Sequence, residues 1–266
     1  MKQKRLIAVD LDGTLFNAEH RISDRTLETM HVLIERGHTM LVITGRSSHS
    51  ALPRLTDIPD SVRLICSNGA YEYNRQSQAI EWAHFLSAQQ VTYIRQQVAD
   101  AMPSASFGWE SAAGLNYEEQ FLVEAGGAHT LEQGGGRESI GQRDALKLFV
   151  RAPEQNGAAV AAVVRELLEK NVEVSSSGAP FAEITAAGVN KGRALEKIAT
   201  ELGFSTRQTM AFGDNDNDTS MLQWAGESVA MANALEPVKA IASAITLSNS
   251  EDGVADYLEK NLIGSA

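Results

Sequence analysis

Short, continuously apolar runs alternate with amphipathic stretches of helical period at both ends of the chain, as in parallel strands joined by crossover helices. Near the N-terminus "RLIAVD" predicts a strand and "SDRTLETMHVLIERG" a helix, with Ser23 as its N-cap and Gly37 past its C-terminus. "TMLVIT" predicts a second strand, "SSHSALPRL" a short helix strained by Pro53, and "RLICSN" a third strand. The C-terminal third repeats the alternation. There "NKGRALEKIATELG", "DTSMLQWAG", "EPVKAIAS" and "GVADYLEKNL" read as helices, with "TMAFGD", "SVAMAN" and "AITLS" as strands. Leu195, Ile198 and Leu202 fall at i, i+3 and i+7, which predicts one apolar stripe on the first of these helices. Runs such as "LIAV" are apolar throughout, as strands covered on both faces must be. The two ends therefore predict one α/β core, a doubly wound, mainly parallel, Rossmann-like sheet.

The middle breaks this pattern. "AYEYNRQSQAIEWAHF" predicts a hairpin turning at 74–77, "SAQQVTYIRQQVADAM" an amphipathic helix, and "FGWES", "EEQFLVEA" and "LKLFVRAP" strands. A further helix, "GAAVAAVVRELLEK", precedes the strand-like "VEVSSS" and "FAEITA". The expected organisation is a core of residues 1–82 and 188–266 carrying an inserted α+β domain at 83–187. "EQGGGRES" reads as an exposed loop of the insert.

A length of 266 residues suits two such domains. The formal net charge of -11 argues against nucleic acid, which is met by basic patches. Cys66 is the only cysteine, so an internal disulfide and a cysteine-based metal site are excluded; it reads as a small buried hydrophobe. The apolar run before Asp10 is too short for a signal-peptide core, and no apolar stretch approaches the roughly 18 residues of a membrane span. A soluble cytoplasmic protein is expected. His20, His31, His38, His49, His84 and His129 lack metal-ligand spacing and read as surface or packing residues. Trp109 and Tyr117 read either as pocket lining or as core of the insert.

The chemistry-bearing residues gather where predicted strands end. "VDLDGTLF" puts Asp10 and Asp12 at the C-terminal edge of the first strand, where open α/β sheets bind ligands. Two carboxylates so close repel unless a cation lies between them or they take different roles. Gly13 permits a sharp turn whose N–H groups can face an anion. Thr44, Gly45 and Arg46 of "VITGRSS" reach the same edge, either as an oxyanion or phosphate clamp or as an ordinary turn. Asn68 of "CSNGA" either orients a substrate or shapes a turn. Lys191 stands in the first turn of a helix, where a cation is disfavoured by about 0.3 to 1 kcal/mol unless an anion compensates. It is expected to reach a phosphate, the alternative being a solvated surface lysine. "GDNDND" at 213–218 fails as the start of a calcium loop, because Thr219 stands where the sharp turn needs glycine and Ala225 where a bidentate glutamate belongs.

In chain order, "VDLDGTLF", "ITGR", the lysine of "NKGRAL" and "GDNDND" resemble the four signature motifs of the haloacid dehalogenase-like hydrolase superfamily, specifically its Cof-type phosphatases. "SNGA" and "FAEITAAGVNKG" resemble that group too, and the insert falls between the second and third motifs, as in members with a type two α/β cap. The resemblance implies a magnesium-dependent phosphatase for a small phosphorylated metabolite: sugar phosphates first, then flavin mononucleotide or pyridoxal phosphate. It implies Asp10 as the nucleophile that forms an aspartyl phosphate, and Asp12 as the acid/base. Thr44 and Lys191, with backbone N–H groups near Leu11 and Gly45, would bind the transferring phosphoryl oxygens. Magnesium would be held by the Asp10 carboxylate, the Asp12 carbonyl, Asp214 and waters. Asn217 would serve the phosphate, Asp218 a water ligand or a hydrogen bond to Lys191, and Asp216 would face solvent. An acid at position 12 separates the chain from the dehalogenase branch and from transport ATPases, and a response-regulator receiver would be shorter and lack the insert. Two alternatives stay open: a phosphomutase, and a non-catalytic metal- or phosphate-binding regulatory module.

Overall fold

The computed structural model of the chain describes residues 3–124, 140–153, 155–168 and 171–264. In order, the first elements are β1 (Leu6–Val9), α1 (Asp24–Glu35), β2 (Thr39–Ile43), α2 (Ser48–Ala51), β3 (Arg63–Cys66), β4 (Tyr71–Asn74) and β5 (Ala79–Ala83). There follow α3 (Ala88–Ala101), β6 (Ser106–Ser111), β7 (Gly114–Tyr117), α4 (Glu119–Glu124), β8 (Lys147–Arg151), α5 (Gly157–Leu168), β9 (Val172–Ser175) and β10 (Ala182–Ala186). The chain then runs through α6 (Lys191–Leu202), β11 (Thr209–Gly213), α7 (Thr219–Trp224), β12 (Glu227–Ala230), α8 (Glu236–Ile241), β13 (Ala244–Ile245) and α9 (Gly253–Leu258). These fall into two units, Met1–Glu81 with Asn190–Ala266, and Trp82–Val189. No described helix is long and apolar enough to cross a membrane.

The first unit is built on an eight-stranded sheet in the order β13-β12-β11-β1-β2-β3-β4-β5. Strands from β13 to β3 are parallel, and β4 turns back antiparallel on β3. This is the doubly wound α/β core that the apolar runs predict. Every residue of β1 is buried, as helix cover on both faces requires. Val9 lies opposite Val42 on one side and Phe212 on the other, so the residues that follow β1, β2 and β11 emerge at one edge. Strand order reverses at β1, which makes that edge the topological switch point. Ser23 caps α1 by accepting from the Thr26 N–H at 3.1 Å, and Pro53 tightens the chain after α2 into a 3-10 turn, Leu52–Arg54. The stripe on α6 differs in its last turn: Ala194, Leu195, Ile198 and Ala199 are buried, whereas Leu202 is 40% exposed.

The second unit carries a five-stranded antiparallel sheet in the order β7-β6-β8-β10-β9. Val91, Ile94 and Val98 of α3 and Val160, Val164 and Leu168 of α5 pack with Phe107, Trp109, Leu148, Val150 and Ile184 of the sheet. Trp109 is therefore core. Tyr117 stacks on Phe121 at 5.5 Å, in a smaller cluster with Leu115, Phe149 and Phe181. The alternation along β8 leaves Lys147 on the other face from Leu148, where it meets Glu183 at 2.8 Å. "EEQFLVEA" does not form the expected strand. β6 pairs with β8 on one side and with β7 on the other, β7 opening on Gly114 at φ +123, and the following residues wind into α4 with Glu119 favourably in its first turn. "EQGGGRES" and His129 lie outside the described residues.

Candidate active site

Asp10 continues the sheet ladder one step beyond β1, its N–H donating to the Phe212 carbonyl at 3.1 Å, so its side chain is fixed at the switch-point edge. Lys191 enters from α6, where Asn190 caps the helix by accepting from the Arg193 N–H at 2.9 Å. Its ammonium donates to Asp10 Oδ1 and to Asp218 Oδ1, each at 2.6 Å, and is fully buried. The cation that a helix N-terminus disfavours thus has two carboxylates as partners.

Asp218 closes a 3-10 turn, Asp216–Asp218, after β11. Its Oδ2 accepts from the Asp214 and Asn215 N–H groups at 2.9 and 3.0 Å while Oδ1 meets Lys191. Asp214 Oδ1 accepts from the Thr14 hydroxyl at 3.1 Å. Gly13 has φ +77, and a Cβ there would lie 2.3 Å from Asp214 Oδ2, so only glycine lets the two loops approach. The Gly13 carbonyl accepts from Asn233 Nδ2 at 2.8 Å. The sequence motifs do not single out Thr14 or Asn233, although Thr14 stands two residues after the second of the paired aspartates. Asp216 is exposed and Leu11 buried.

The ends of β2 and β3 are tied together. The Asn68 N–H donates to the Thr44 carbonyl and the Ser67 N–H to the Arg46 carbonyl, both at 2.9 Å. Ser67, Asn68 and Gly69 have φ of +51, +58 and +96, three successive left-handed residues, the first two of them non-glycine and strained. That backbone aims the Asn68 side chain at Asn217, whose Nδ2 donates to Asn68 Oδ1 at 3.0 Å. Asn217 gives one amide hydrogen to Asn68 and keeps the other to donate, while its Oδ1 is buried with no donor.

Arg46 departs from expectation. Its Nε donates to Asp12 Oδ2 and its Nη2 to Asp12 Oδ1, both at 2.6 Å, a bidentate fork between the ends of adjacent strands. A guanidinium so engaged holds a carboxylate, not a phosphate clamp. Thr44 is fully buried and its oxygen accepts from the Arg46 N–H at 3.0 Å, which leaves the hydroxyl proton to donate.

Asp10, Asp214 and Asp218 present oxygens within 4.8 Å of one another, the metal-ligand grouping found among the described residues. Three carboxylates against one ammonium leave two negative charges, and hard oxygen donors of that charge suit a divalent cation. The side chain of Asp12 is outside the group, paired with Arg46. Burial, reinforced by Asp218, pushes the Asp10 carboxyl well above the ordinary range even though Lys191 pulls it down. Burial and the Asp218 charge push Asp214 up to about 7. Burial opposes the Lys191 charge, yet Asp10 and Asp218 together hold its pKa above the ordinary lysine value.

A buried carboxylate, an ammonium shared with it, and acids grouped for a cation, all at the switch point of a doubly wound sheet, are the groups that phosphoryl transfer uses. The model of the haloacid dehalogenase-like hydrolases matches residues 7–258, and the chain belongs to that family. Within it the chain is a Cof-type phosphatase, a phosphoric monoester hydrolase. It is 30% identical over 266 residues to the 5-amino-6-(5-phospho-D-ribitylamino)uracil phosphatase YitU of Bacillus subtilis, covering 96% of each chain. It is 27% identical to the pyridoxal phosphate phosphatase YbhA of Escherichia coli, covering 97% of this chain and 99% of the relative. A haloacid dehalogenase-like hydrolase from Bacteroides thetaiotaomicron superimposes with a TM-score of 0.78 at 27% identity, over 97% of this chain and 99% of the other.

Proposed function

We propose that the chain is a magnesium-dependent phosphatase that works in the cytoplasm on small phosphorylated metabolites through an aspartyl phosphate on Asp10. Sugar phosphates and related phosphorylated polyols rank first as substrates, then flavin mononucleotide and pyridoxal phosphate. The observation that carries this reading is the buried Lys191 ammonium shared by Asp10 and Asp218 beside Asp214. Relatives named for a phosphoribitylamino compound and for pyridoxal phosphate support the substrate class.

In the first half-reaction an Asp10 oxygen bonds to phosphorus, the ester P–O bond breaks, and Asp12 gives its proton to the leaving oxygen. In the second, water bonds to phosphorus, its proton passes to Asp12, and the Asp10–phosphorus bond breaks, which returns both residues to their starting forms. Lys191 and the Thr44 hydroxyl offer hydrogen bonds to phosphoryl oxygens, with backbone N–H groups near Leu11 and Gly45. A divalent cation held by Asp10, Asp214 and the Asp12 carbonyl, with Asp218 beside them, supplies charge screening between the ester and the carboxylates.

A phosphate-release screen over sugar phosphates, nucleotides and cofactor phosphates tests the reading. Free phosphate in magnesium and none in chelator is expected. An isomerised ester would make the chain a phosphomutase, no turnover of any ester would leave a binding module, and full activity in chelator would remove the metal.

Asp214 sets a pH dependence for metal binding. Its carboxyl titrates near 7 in the folded metal-free protein but near 3.8 as an unperturbed group. Between these values the folded state holds more protons, so this group's contribution to stability falls as pH rises through the window and is level above it. A cation binds the ionised form. The magnesium-induced rise in melting temperature is therefore expected to be larger at pH 8 than at pH 5.5, and equal rises would refute the assignment of Asp214 to the metal.

A further inference from the structure

We propose that Arg46 is a positioning residue for Asp12, and that its guanidinium fixes the plane of the acid/base carboxylate for the half-reaction in which it takes a proton from water. The inference rests on the phosphatase reading above for the role of Asp12, but not for the pairing itself. Asp12 sits on a turn whose next residue, Gly13, has φ +77, and its side chain is 39% exposed, so neither backbone nor packing holds its plane. The fork of Nε and Nη2 onto its two oxygens does. Two parallel N–H···O bonds fix distance and plane together, which a lysine cannot do.

Arg46 is itself held on several sides. Its Nη1 donates to Ser50 Oγ at 3.1 Å, and its guanidinium carbon lies 5.9 Å from the ring centroid of the buried Phe16. Its N–H donates to Thr44 Oγ1 and its carbonyl accepts from the Ser67 N–H. The fork thus hangs from the tied ends of β2 and β3. The ammonium beside Asp10 belongs to Lys191, so the cation facing the nucleophile and the cation facing the acid/base are different residues. Each oxygen of a carboxylate has two acceptor positions; His20 Nδ1 faces Oδ1 at 3.6 Å, so beside the Arg46 fork Oδ2 keeps one for the proton that leaves water.

The test uses p-nitrophenyl phosphate, whose leaving group departs without a proton, so the first half-reaction proceeds without a well-placed acid and the second still needs the base. Arg46→Lys and Arg46→Gln are expected to release about one equivalent of p-nitrophenolate in a burst, then turn over about 100-fold slower than wild type. KM should be no higher than in wild type, and the inhibition constant of inorganic phosphate should stay within about twofold. Adding Arg46→Lys to Asp12→Asn should cause no further loss, because the two act as one unit. A raised KM with weakened phosphate inhibition and no burst would return Arg46 to phosphate binding. Wild-type turnover, or additive losses in the double variant, would also overturn the proposal. The pairing has a readout apart from activity: the Arg46 Nε–H resonance should move in Asp12→Asn but not in Asp10→Asn. An unmoved resonance overturns the proposal, whereas a wild type that turns over no ester overturns the phosphatase reading.

Discussion

Asp10→Asn is expected to lose phosphate release by about 10⁴-fold or more, the scale on which a nucleophile acting as a unit with its partners is lost, while folding as well as the wild type. The carboxamide keeps the shape of the side chain and an oxygen for Lys191, but it cannot form the bond to phosphorus. Stability should not suffer. Burial and the neighbouring Asp218 push the Asp10 carboxyl well above its ordinary value, so in the metal-free protein at pH 8 its ionised form costs the folded state free energy that the unfolded chain does not bear. A neutral amide removes that cost, which makes Asp10 a case of function held against stability. Phosphate release and thermal melting in chelator check both halves. Wild-type turnover would sink the nucleophile assignment, and a markedly lower melting temperature would make the loss one of folding.

What the sequence made legible was decided by period and position along a strand. The apolar "LIAV" and "TMLVI" runs name β1 and β2, and residues directly after such runs must emerge at one sheet edge, which puts Asp10, Thr44 and Asp214 together on sequence alone. Contacts between side chains distant in sequence have no such rule. Thr14 on Asp214 and Asn217 on Asn68 were therefore invisible, and so was the choice Arg46 makes between a phosphate and Asp12. A shared edge puts a guanidinium within reach of several anions and does not say which one it takes. The left-handed backbone of Ser67 and Asn68 was hidden for a related reason: "SNG" permits a turn, and only the ties to Thr44 and Arg46 select this one. In the insert, "EEQFLVEA" carries residues that suit a strand or a helix, and the competing pairing of β7 with β6 decided for the helix.

Lys191→Met should cost more in stability than any exposed substitution, and the cost should grow with pH. The ammonium lies fully buried between Asp10 and Asp218, and removing one partner of a buried charged group costs about 3–5 kcal/mol. The lysine itself adds no pH dependence below about 10, because its folded pKa lies above the ordinary value and it is charged in both states there. The carboxylates supply the dependence. Without that cation, Asp10 and Asp214, which burial already pushes up, stay buried more readily by holding protons, so the folded variant holds more protons than the unfolded chain above the ordinary carboxyl range. Its deficit against wild type therefore widens as pH rises from 5 to 8, and a divalent cation, supplying the missing charge, should narrow it. Denaturant unfolding of both proteins at the two pH values, with and without magnesium, measures this. An equal deficit at both would mean that Lys191 contributes packing rather than charge. Phosphate release should be lost under every condition in which the variant stays folded, since no other ammonium faces Asp10 among the described residues, and retained turnover would remove Lys191 from the chemistry.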